Sequence, residues 1–131
     1  MADVTRDNSS TVRGWITNKM TDKIVVLSTC GSAEEAERLA RLLVEARLAA
    51  CVSVIMQVRS FYRWKGKIED TGEWLLIVKT SRGLFTEVSR LTGASHSYEV
   101  PEVLALPVAD GSPAYLTWFG DQLAVAKDLN S

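Results

Sequence analysis

Few side chains in this sequence are equipped for chemistry. His96 is the only histidine, and Cys30 and Cys51 are the only thiols. Imidazole and thiolate are the ligands that Cu(I) and Zn(II) favour, yet one imidazole cannot hold a transition metal, because stable sites take three or four ligands. Cys51, in Ala49-Ala50-Cys51-Val52, reads as a small buried hydrophobe. A second group comprises Tyr62, Trp64, Lys67 and Glu69, joined by Lys79, Tyr98 and Glu99. Polar tips on apolar bodies suit a small-molecule cleft. The same aromatics also suit the anchoring of a subunit contact. No Ser-His-Asp or Cys-His grouping is readable, and the phosphate-binding glycine loops are absent, so the chain is not expected to be an enzyme.

Positioning these groups requires a scaffold, and the pattern of apolar residues supplies one. Lys23–Cys30 is short and β-branched, a buried strand. Ser32-Ala-Glu-Glu35 is a capping box, so a helix is expected from about Ala33 to Ala46, with Ala36, Leu39, Ala40 and Leu43 on its apolar face. Cys51–Trp64 is a long strand, with Val52, Val54, Met56 and Val58 on one face. Trp64-Lys-Gly-Lys67 is the turn, and a second long strand follows around Trp74–Val78. A helix starts at Ser81 or Arg82 and is expected to stop at Gly93. Tyr98–Val108 is expected as a strand, with Pro101 and Pro107 placing it at an edge. Ser112-Pro113 opens a final short helix.

This order, βαββαβ plus a C-terminal helix, predicts an α+β fold of the ferredoxin-like split βαβ kind with a long hairpin. Right-handed crossovers put both main helices on one sheet face. Fourteen strand residues span about 45 Å, against a radius of gyration of about 14 Å for a chain this long, so the hairpin must bend or protrude. Leu75 and Ile77 alternate with Trp74, Leu76 and Val78, so both faces are apolar and a second copy is the simplest cover. Trp64 and Trp74 are the expected anchors.

The chain has 131 residues, 47% of them hydrophobic, and a net charge of −1. That suffices for one domain with a core and gives no basic excess for nucleic acid. No apolar run approaches the roughly 20 residues needed to cross a bilayer. Two cysteines are too few for a disulfide framework and fit a reducing cytoplasm. Residues 1–22 are expected to be an extension without the apolar run of a secretory signal, with Trp15 and Ile16 docking on the domain. The domain is expected over 23–124 and a tail over 125–131.

Several motifs occur in order: Leu48-Ala-Ala-Cys51, Tyr62-x-Trp64-x-Gly66-Lys67, Glu73 with Lys79-Thr80, and His96-x-Tyr98-Glu99-x-Pro101-Glu102. Together, over about Lys23–Leu123, they resemble the CutA divalent-cation tolerance family. The resemblance implies a ferredoxin-like homotrimer, cytoplasmic in bacteria, concerned with tolerance of copper and other divalent ions. It also implies an architecture like that of the nitrogen-regulatory signalling trimers. Copper-ligand positions in that family, a strand Cys and two adjacent His, correspond here to Ser28, Ser95 and His96. Only one keeps a good ligand. Cys30, two residues after Ser28 and on the same strand face, is a substitute donor, so Cys30, Ser28 and His96 are the candidate metal residues. The ligand-cleft candidates are Tyr62, Trp64, Lys67, Lys79, Tyr98 and Glu99. Two functions follow as expectations. One is a non-enzymatic trimer with weak or indirect metal binding; the other is a signalling or scaffold trimer holding a small metabolite between subunits.

Overall fold

The computed structural model describes residues 21–125. The expected extension, Trp15 and Ile16 included, lies outside them apart from Thr21 and Asp22, as does the expected tail apart from Val125. The strands are β1 (Lys23–Cys30), β2 (Cys51–Trp64), β3 (Lys67–Ser81) and β4 (Leu104–Pro107). The helices are α1 (Ala33–Glu45), α2 (Phe85–Ser95), entered through a 3-10 turn at Arg82–Leu84, and α3 (Pro113–Gln122). The sheet order is β2-β3-β1-β4, and every neighbouring pair is antiparallel. This is the α+β, ferredoxin-like arrangement expected.

Alternation along the strands sorts the sheet into two faces. Ile24, Val26 and Cys30 of β1 and Leu76 and Val78 of β3 are buried with Ala36, Leu39 and Leu43 of α1 and Val88 of α2. Trp74 is partly buried against this same core. On the other face the ladder registers Leu27 beside Ile77 and Leu104, and Val25 beside Leu106. Among the described residues α3 reaches only the Lys23 end of that side, where Lys23 Nζ lies 5.7 Å from the Phe119 ring, and Leu104 is left 57% and Leu106 50% exposed.

The hairpin follows its sequence closely until its middle. Lys65 and Gly66 both take positive φ, 51° and 81°, the geometry of a tight hairpin turn. Between Ile55 and Val58 the register shifts, and Gln57 sits at φ 51°. This bulge breaks the expected run of Val52, Val54, Met56 and Val58 on one face, because an extra residue reverses the side-chain parity beyond it. Met56, Phe61 and Ile68 are left 76%, 61% and 63% exposed.

Two further boundaries differ from expectation. The strand expected over 98–108 shrinks to Leu104–Pro107. The Tyr98 N–H is spent on the His96 side chain and Pro101 has no N–H to give, so neither residue can donate to a ladder. α2 runs through Gly93 to Ser95 and ends at His96, which is extended (φ −93°, ψ 144°).

Candidate functional site

Two neighbouring arrangements occupy the end of the sheet where β1 leads into α1. The first is buried. Ser32 caps α1 by accepting the Glu35 N–H at 3.2 Å, as a capping box requires. The Glu35 side chain does not complete the box. It turns inward, 6% exposed, and Oε2 accepts the Ser97 N–H at 2.8 Å. Burial pushes the Glu35 carboxyl up, but the hydrogen bonds from Ser97 outweigh it and hold the group below its ordinary 4.5. This ties the start of α1 to the segment that leaves α2.

The His96 imidazole has no exposed surface and lies in the same place. Its Nδ1 accepts the Tyr98 N–H at 3.0 Å and its Nε2 sits 2.6 Å from the Thr29 carbonyl oxygen. A backbone N–H can only donate and a carbonyl can only accept, so Nε2 carries the proton and both ring nitrogens are engaged. Cys30 Sγ is 3.9 Å from Nε2, and Glu35 Oε1 is 4.0 Å from Nδ1. Burial first, then the Glu35 carboxylate, pushes the Cys30 thiol up to about 12.

Donor atoms of Cys30, Glu35 and His96 all lie within 4.8 Å of one another, so this is the group that could hold a metal ion. Sulfur, nitrogen and oxygen donors are the right chemistry for a zinc- or copper-type ion. The hydrogen bonding is not that of a ready site. The imidazole has no free lone pair, and the thiol is kept protonated. Ser28 lies one step back on the same face of β1, 2% exposed, and its Oγ has no partner among the described residues; neither has Glu35 Oε1. Ser95 presents its backbone carbonyl to Arg38 at 3.2 Å.

The second arrangement is an open cleft between the hairpin tip and the segment after His96. It consists of two adjoining hollows of about 300 Å³ and 490 Å³. Tyr62, Trp64, Tyr98 and Val100 line both. Ser97 and Glu99 complete the first, while Phe61, Glu73 and Glu102 are among the residues completing the second. The Tyr98 hydroxyl donates to Glu73 Oε2 at 2.7 Å, and burial together with that carboxylate raises the phenol above its ordinary value. Gly31 leaves room for this ring: a Cβ there would stand 3.2 Å from the Tyr98 hydroxyl oxygen.

Four of the six cleft candidates, Tyr62, Trp64, Tyr98 and Glu99, therefore converge. Lys67 and Lys79 are not in the lining. Lys67 pairs with Trp64 at the turn. Lys79 pairs with Cys51 about 20 Å along β3 from Glu73, where its Nζ donates to Ser53 Oγ at 2.6 Å. Sequence reasoning did not place Glu35 in the buried group. The available signal was its register: Glu35, Leu39 and Leu43 fall four residues apart, so the carboxylate lies on the apolar stripe of α1.

Comparison with known proteins bears on both arrangements. The family model described as CutA1 divalent ion tolerance protein matches residues 24–122, from the second residue of β1 through the last residue of α3. The chain belongs to this family. Among CutA1 relatives, the divalent-cation tolerance protein CutA of Thermus thermophilus is 46% identical over 94 residues, 72% of this chain and 91% of its own length. Protein CutA of Mus musculus is 48% identical over 90 residues, 69% of this chain and 51% of its own. The chloroplastic CutA of Arabidopsis thaliana is 40% identical over 110 residues, 84% of this chain and 60% of its own. The chain thus spans only about half to three fifths of those two eukaryotic relatives. A solved Thermus thermophilus CutA1 structure superposes with a TM-score of 0.76 at 42% identity, covering 78% of this chain and 99% of that one. The CutA1 structure from Oryza sativa gives 0.77 at 36%, covering 82% and 98%. Among the described residues no helix is long and apolar enough to cross a membrane.

Proposed function

We propose that this chain serves divalent-cation tolerance as a non-enzymatic homotrimer that meets metal ions weakly or indirectly, without a resident ion. The observation that carries this reading is the state of the donors around His96. Both imidazole nitrogens already have partners, and Cys30 is a thiol held near 12. An ion binding here has to displace the Thr29 or Tyr98 hydrogen bond and remove a proton from Cys30, and both cost affinity. Cys30, His96 and Glu35 remain the donors an ion would use, with Ser28 behind them. The trimer is supported by the uncovered sheet face and the apolar hairpin arm, which one chain leaves in water. Two free thiols fit the reducing cytoplasm we assign.

Calorimetric titration of the purified full-length chain with Cu(I), Cu(II) and Zn(II) tests the metal reading. The expected result is no saturable site tighter than about 10 μM. Stoichiometric submicromolar binding that disappears in Cys30→Ser overturns it.

A second reading, a trimer that binds a small metabolite and passes on its presence, is favoured by the cleft. Its two hollows are of ligand size, and four aromatic rings with polar groups between them surround the space. The two readings are compatible, since the cleft and the buried donors share the segment from His96 to Tyr98.

A further inference from the structure

The cleft has a charge character that its volume alone does not convey. Among the described residues no lysine or arginine lines either hollow, whereas Glu73, Glu99 and Glu102 do. Glu73 is the informative member, at 4% exposed. Its one hydrogen-bond donor among the described residues is the neutral Tyr98 hydroxyl, and no ion pair is formed there by Glu73, Glu99 or Glu102. A buried carboxylate facing a cavity with a single neutral donor has no counter-charge among the described residues. Around it stand the rings of Tyr62, Trp64 and Tyr98, whose electron-rich faces attract cations. Trp64 already does so within the chain: Lys65 Nζ lies 5.8 Å from its ring centroid.

We propose that this cleft takes an organic ammonium ion, cupped by Tyr62, Trp64 and Tyr98 and balanced by Glu73, Glu99 and Glu102. The assignment rests on the second reading above, that the cleft is a small-molecule site, and narrows it to one class. Acidic metabolites and nucleotides are disfavoured by three like charges. A compact inorganic cation is a poor match for so much aromatic surface, because it would exchange a full hydration shell for ring faces. An alkylammonium group brings both a spread charge and apolar surface, which is what the lining offers.

The test uses the full-length chain, choline as the probe, and 3,3-dimethyl-1-butanol as its uncharged isostere. Thermal midpoint and tryptophan fluorescence are followed against ligand concentration. Choline is expected to bind saturably and the alcohol at least about tenfold more weakly, as loss of a cation–π and charge contact implies. Glu73→Gln is expected to weaken choline by about tenfold and leave the alcohol unchanged. Should Glu73→Gln fail to fold, Glu99→Gln at the exposed rim gives a smaller loss in the same direction. Equal binding of choline and the alcohol, or a preference for citrate, overturns the ammonium assignment while leaving a small-molecule cleft. No response to choline, the alcohol or citrate overturns the assignment and the cleft reading together.

Discussion

On the helix side of the sheet, Ile24, Val26, Leu76 and Val78 are no more than 2% exposed. On the opposite side of the same sheet, Leu104 and Leu106 keep half their surface or more in water. The strands are shared, and only the cover differs. Two helices finish one face, whereas among the described residues only α3 touches the other, at its Lys23 end. Behind the helices, both His96 ring nitrogens and one oxygen of Glu35 are engaged by the chain's own backbone. Toward the open cleft, Glu73 has a single donor. One face is thus covered by the chain's own helices, and the other is the face that the proposed trimer would cover.

The strongest way to break this contrast is a charge on the open face. Ile77→Asp places a carboxylate between Leu27 and Ser53 in the ladder. In the proposed trimer it is expected to cost more than about 3 kcal/mol and to abolish assembly, leaving aggregated or unfolded chain. Light scattering with circular dichroism measures this, and a well-folded monomer at micromolar concentration would show that the face needs no cover.

A smaller effect sharpens the other side. Glu35→Ala strands the Ser97 N–H and empties buried space, with an expected loss of about 2–3 kcal/mol by urea unfolding. Because the folded-state pKa of Glu35 lies below the ordinary 4.5, its ionisation contributes stability in full above that value. That contribution is lost as pH falls through 4.5 toward the folded value. The gap between the parent chain and the variant should therefore narrow in acid. A gap that is constant from pH 7 to 3 contradicts the assigned role.

The smallest change expected is at the hairpin turn. A Cβ on Gly66 meets nothing within 4 Å, so Gly66→Ala pays only for its positive φ, about 1 kcal/mol. A loss several times larger would mean that the tip is held by another chain.

Much of this arrangement was legible in the residues. β2 begins and ends where its β-branched and aromatic run does, at Cys51 and Trp64. Ser32 and Pro113 mark helix starts through local chemistry that acts within one turn. The less legible features depend on partners distant in sequence. The direction of Glu35 is set by Ser97, 62 residues on, and the seat of Tyr98 by Glu73, 25 residues back. Locally, Glu35 was as well suited to close a capping box. The bulge at Gln57 was hidden for a related reason: nothing in the strand's own alternation shows that its partner will be one residue short. At the expected start of β4 there is a competition, since the Tyr98 N–H is taken by an imidazole.

The central position of β1 has a consequence for synthesis. β1 is made first, and one of its edges is filled by β3, but the other waits for β4. Roughly two dozen residues separate the end of β3 at Ser81 from the start of β4 at Leu104. At translation rates of 5–20 residues per second, β1 keeps an open edge for about 1–5 s after its first partner has emerged. An unpaired edge is a template for any strand nearby. On a crowded message the nearest strands belong to sister chains at the same stage, so the order of the elements makes each nascent copy briefly receptive to another.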